Sequence, residues 1–166
     1  MKRWTAIIPL ILLSLAWTGC NDDEPIIDEA LLGVTWMAGS IRSPRKLAII
    51  EGDSIWIDTF VNGSVATSTK YVPISGWFGV IIRFDREMEI RAQICNIGQF
   101  RYEIEQMGII LIVGWGWTEE GCHTSTPNLE DLLTSVLDNV TRYEVAGDQL
   151  ELRSQDGSYS AVFTAK

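Results

Sequence analysis

Tyr143-Glu144-Val145-Ala146-Gly147-Asp148-Gln149-Leu150-Glu151-Leu152 decides the fold class. Apolar and polar residues alternate on both sides of Gly147-Asp148. Period-two alternation belongs to a strand with one buried face. Gly and Asp supply the backbone freedom and local hydrogen bonding of a tight turn. The segment predicts a hairpin with strands over 141–145 and 149–153. Asp156-Gly157 marks the next turn, and 159–164 reads as a last strand.

One segment upstream has another period. Leu129, Leu132, Leu133, Val136, Leu137 and Val140 fall at i, i+3, i+4, i+7, i+8 and i+11, one apolar stripe of a helix. Glu130, Asp131, Ser135, Asp138 and Asn139 take the wet face. Thr126 suits the cap, Pro127 the first helical position, and the early acids the positive end of the helix dipole. A helix is expected over about 127–140. The rest returns to strand-like runs at 34–41, 46–50, 54–61, 69–74, 77–84, 88–95, 100–106 and 109–118. Turn signals separate them: Glu51-Gly52-Asp53, Asn62-Gly63-Ser64, Phe84-Asp85-Arg86, Asn96-Ile97-Gly98 and Met107-Gly108. The expected fold is mainly β: an antiparallel, barrel-like sheet of hairpins with one amphipathic helix packed on it.

The N-terminus gives an address. Met1-Lys2-Arg3 is basic, 7–15 is apolar, and Ala16-Trp17-Thr18-Gly19-Cys20 brings small residues up to a cysteine. This is the order of a secretory signal. Ending on Gly-Cys, it resembles a bacterial lipobox, with Trp17 where Leu is usual. A transmembrane helix needs about 20 apolar residues, more than this run holds. The expected division is a lipoprotein signal peptide over 1–19, an acidic tether over 20–29, and a domain over 30–166. Acylation at Cys20, palmitate included, would anchor the chain firmly, since stable attachment takes more than one acyl chain. Acids just after the cysteine also resemble the surface-export signal of some Gram-negative lipoproteins. The expected place is the cell envelope, at the outer membrane, on its surface or periplasmic face.

Removing 1–19 from 166 residues leaves 147, a common single-domain size. It also removes Lys2 and Arg3, leaving 11 basic against 22 acidic residues, a charge of −11. Such a chain has no basic footprint for nucleic acid and gains nothing from anionic head groups. The membrane link would then be the lipid on Cys20. Of three cysteines, acylating Cys20 leaves Cys95 and Cys122 as a pair in an oxidising compartment. They are a disulfide candidate; two free thiols are the alternative.

From about residue 30 the chain resembles the META domain family, also called HslJ-like. The matching residues are Leu32-Gly33-Val34-Thr35-Trp36, then Cys95-Asn96 with Phe100 and Tyr102, then Thr118 and Cys122 ahead of the helix. The Tyr143–Leu152 hairpin completes the order. Ile94 stands where the family has Gly, and the stretch from Trp36 to Phe84 looks longer than usual, as an extra hairpin or extended loops would make it. The resemblance implies a mostly antiparallel barrel with one packed helix, no shared catalytic set, and loose links to envelope stress and antibiotic tolerance.

Chemistry-bearing residues are sparse. His123 is the one histidine, and beside Cys122 on an extended chain it faces the other way. A dyad from His123 to Cys95 would compete with the disulfide. Cys95, Cys122 and His123 lack the spacing of a zinc site. Asp85, Glu87 and Glu89 could share a hairpin face, but charges there also protect a strand edge. Gly114 and Gly116 flank Trp115 in a strand and precede no helix, so they cradle no phosphate. No catalytic residue, metal site or cofactor is expected. Trp115 and Trp117, two apart, share a face and could bind a small apolar ligand, with Trp36, Trp56 and Trp77 also in expected strands. Core packing accounts for them more simply. The leading reading is a non-enzymatic, lipid-anchored envelope protein with a structural, stress-related or protein-interaction role. The alternative is a lipocalin-like carrier. Oligomeric state is not legible.

Overall fold

The computed structural model describes residues 25–72, 79–118 and 129–166. They form eleven strands and one helix. The strands are β1 (Trp36–Arg42), β2 (Lys46–Glu51), β3 (Ser54–Val61), β4 (Ser64–Tyr71), β5 (Ile81–Phe84), β6 (Glu89–Gln93), β7 (Ile97–Gln106), β8 (Ile109–Trp117), β9 (Arg142–Ala146), β10 (Gln149–Arg153) and β11 (Ser160–Ala165); α1 is Leu129–Leu137.

Eight strands close a barrel in the order β1-β5-β6-β7-β8-β9-β10-β11, with β11 returning to β1. Every strand pair is antiparallel. The remaining three form an arm. One edge of β1 serves two neighbours in succession: Trp36 and Met37 pair with β5, while Ser40 to Arg42 pair with β2. A register shift between Ala38 and Ser40 turns the strand where the partners change. β3 and β4 then extend the arm through two further hairpins. Of the two ways to account for the length between Trp36 and Phe84, extra hairpins and not extended loops fill residues 46–71.

The barrel is filled. Trp36, Phe84, Phe100, Tyr102, Phe163, Ile82, Ile90 and Ile110 are among its fully buried side chains. Phe84 and Tyr102 meet edge to face at 5.2 Å, and Tyr102 donates its hydroxyl to the Asp85 carbonyl at 3.0 Å. Trp36 donates its indole N–H to the Leu31 carbonyl at 3.3 Å. Aromatic rings carry much of a small core, provided their polar ends find partners. The helix presses Leu129, Leu132, Leu133, Val136 and Leu137 into the same core.

Four expectations need correction. The helix stops at Leu137 rather than near 140. Val140 N–H still reaches the Val136 carbonyl at 2.9 Å, and Asn139 donates its side-chain amide to Ser135 O at 2.8 Å. The last carbonyls are thus satisfied by a turn instead of further helix. Thr126 and Pro127 lie outside the described residues. The strand expected over 69–74 is β4, which begins at Ser64. Asn62 (φ 53°) and Gly63 (φ 77°) make a two-residue turn, so pairing starts at Val61–Ser64. The strand expected over 77–84 is described from Ile81. Trp56 points off the outer face of the arm, 40% exposed, with the Lys70 ammonium 5.1 Å from its ring centroid. Trp77 lies outside the described residues.

Asp28 and Glu29, expected in the tether, are already held on the domain. Asp28 is buried, accepting from Tyr143 Oη at 2.8 Å and Ala30 N at 2.9 Å. Glu29 pairs with Arg86 at 2.9 Å on the surface.

Candidate functional site

β7 and β8 carry the most informative surface. Along β7, Gly98, Phe100, Tyr102 and Ile104 face the core, while Ile97, Gln99, Arg101, Glu103 and Glu105 face water. The ladder with β8 pairs Phe100 with Trp115 but Arg101 with Val113, so Gly114 is passed over. Its φ of 75° is a left-handed conformation that glycine adopts freely. Such a bulge bends the sheet and re-aims its neighbours.

Two hollows meet at this bulge, sharing Arg101 and Val113. One, of about 970 Å³, is bounded by Pro25, Ile26, Glu87, Met88, Glu103 and Glu105 among others. The second, of about 690 Å³, runs past Glu89, Ile97, Gln99, Gly116 and Thr118. Together they make a trough along the outer face of β7. Its floor has apolar stretches at Ile26, Met88, Ile97 and Val113. Four glutamates stand on its walls against one arginine, Arg101. This chemistry fits a chain segment that is apolar and cationic.

Trp117 lines the second hollow and also packs inward. Its indole meets Phe100 edge to face at 5.6 Å and donates to Thr134 Oγ1 on α1 at 2.9 Å. It also lies over Gly98, where a Cβ would come within 2.8 Å of both rings. Only glycine leaves room there, so Trp117 ties β7, β8 and the helix together. Trp115 is described by its register opposite Phe100. A second tie joins the bend after β6 to the helix. Asn96 donates its backbone N–H and its side-chain amide to the two carboxylate oxygens of Glu130, both at 2.9 Å. Alternation does not reveal that bond, since its partners are 34 positions apart.

Cys95 is exposed in that bend. Cys20, Cys122 and His123 lie outside the described residues. Asp85 does not pair with Glu87 or Glu89 for acid–base work. It caps its own turn, accepting from Glu89 N at 2.9 Å, and lies 3.9 Å from Arg91. Burial pushes the Tyr102 and Tyr143 hydroxyls up to about 12, helped by the nearby Asp85 and Asp28 carboxylates respectively. Both therefore serve as neutral hydrogen-bond donors. Among the described residues, no three His, Cys, Asp or Glu side chains gather as metal ligands.

Comparison with known proteins bears on residues across this region. The sequence profile of a family described as META domain matches residues 78–166, which contain the trough strands, the helix and the last three strands. A solved structure, titled as the NMR structure of the protein from Burkholderia xenovorans, superposes with a TM-score of 0.55 at 14% identity. The match covers 100% of this chain and 97% of that one, and speaks for the fold alone. No curated protein matches.

Proposed function

The chain belongs to the META domain family, and from that premise we propose that it is a non-enzymatic, lipid-anchored protein of the bacterial envelope that works by holding a partner protein on its outer face. One observation carries the reading: the barrel interior is occupied by its own side chains, while the outer face of β7 is opened into a trough. Recognition then belongs outside, where glutamates and apolar side chains are presented together. The partner is an envelope protein offering a basic, apolar segment, since complementary charge guides encounter and fixes register. The anchor is the acylated Cys20. Residues 21–24 span at most roughly 18 Å between that anchor and Pro25, so the domain works close to a bilayer. Cys95 and Cys122 are proposed to be bridged.

Photocrosslinking in intact cells tests the partner. A photoreactive residue replacing Gln99, exposed on the trough wall, should yield one discrete crosslinked protein band. The same probe at Glu144, exposed on β9, should not. Bands of equal intensity from both positions, or none from Gln99, would overturn the reading.

A further inference from the structure

We propose that the β2–β3–β4 arm is a self-association element, in which the open edge of β4 pairs antiparallel with β4 of a second copy of this chain about a twofold axis at Ser68. Among the described residues β4 ends the sheet, and Ser64 to Lys70 are all exposed. An eight-residue edge of unpaired N–H and C=O groups is a template for another strand, and sheet proteins usually blunt it with charge, proline or a cover. This edge carries one charge, Lys70, no proline, and one register shift at Ala66, which leaves Thr67 to Tyr71 as its regular part.

The register follows from the ladder. Phe60 N–H donates to the Arg45 carbonyl at 2.8 Å, so the backbone of Phe60 faces β2. Alternation then turns Ile55, Ile57 and Thr59 toward β4, and their partners Tyr71, Thr69 and Thr67 toward β3. Ser68 and Lys70 are left with their backbone groups directed outward. A twofold at Ser68 puts serine opposite serine, Thr67 opposite Thr69 of the second copy, and Lys70 opposite Ala66. No like charges face each other directly, and cross-strand threonine pairs are favourable.

Charge argues for a second copy as the occupant. The chain carries −9 overall, so copies repel one another. The run from Thr59 to Thr69 holds no charged residue at all. Two copies can therefore approach through this edge with least repulsion. Pairing would also join two outer faces, on each of which Leu47, Ile49, Trp56, Phe60 and Val65 surround Asp58 and Lys70, into one six-stranded surface. Trp56 and Val65 are now 40% and 55% exposed.

Sedimentation of the full-length chain in mild detergent tests this. The unmodified chain should form a dimer at micromolar concentration. Ser68→Glu and Ser68→Lys each place like charges across the axis and should each weaken the dimer roughly five-fold. Because Ser68 faces Asp58 of its own β3, the same two changes are also made with Asp58→Asn, where that loss should persist. An equal mixture of the two variants should restore association, which a merely structural defect would not allow. A monomeric unmodified chain, variants that associate as tightly as it does, or a mixture no tighter than either variant alone would overturn the proposal.

Discussion

Cys20→Ala should abolish incorporation of labelled palmitate and move the chain out of the membrane fraction. The anchor rests on a basic start, an apolar run over 7–15 and the Gly19-Cys20 junction. Each buried methylene contributes about 0.8 kcal/mol, so each sixteen-carbon chain lost removes on the order of 10 kcal/mol of membrane affinity. Nothing else replaces it electrostatically. Once 1–19 are removed, 22 acidic residues face 11 basic ones, and anionic head groups repel the remainder. The intact mass of the mature protein reads the same proposal from the other side. It should show the chain from Cys20 onward, raised by its acyl groups and two hydrogens lighter than the dithiol form. Unchanged palmitate labelling of Cys20→Ala would refute the anchor, and two alkylatable thiols would refute the Cys95–Cys122 bridge.

Trp36→Ala should destabilise the domain by about 3–5 kcal/mol, a large share of the total for a domain this size. Trp36 is 1% exposed and sits at the seam that closes the barrel, paired with Ile82 of β5 and Ala165 of β11. Its truncation removes an indole from the core and leaves the Leu31 carbonyl without its 3.3 Å donor. Trp56→Ala is the matched control. That ring lies on the open face of the arm, and its loss should cost under about 1 kcal/mol. Guanidinium unfolding of both variants checks the contrast, and equal losses would contradict the placement of the two rings.

The same two tryptophans show where sequence reading runs out. Both lie in strand-like runs, and alternation shows which neighbours share a face but not which face meets the core. That choice is made by the sheet register, through partners such as Ala165, which is 129 positions from Trp36. Barrel closure by β1 and β11 is illegible for the same reason, because distant pairing leaves no local period. The Tyr143–Leu152 hairpin was legible because its turn and both strands are local, and β9 and β10 pair as the alternation requires. β4 was obscured because both its faces are wet, so it has no need to alternate. At the trough, Gly114 within a strand was the available signal, since an isolated strand glycine marks a bulge. What the bulge would open depended on Arg101 and Val113 facing each other across it.

The proposed function requires a filled barrel that works through its outer surface. Titration of the native chain with an apolar fluorescent probe, followed by tryptophan quenching, tests this most directly. The packed interior predicts no saturable quenching of Trp36, the tryptophan buried in the core. One-to-one uptake whose quenching is lost in Trp36→Phe would contradict it.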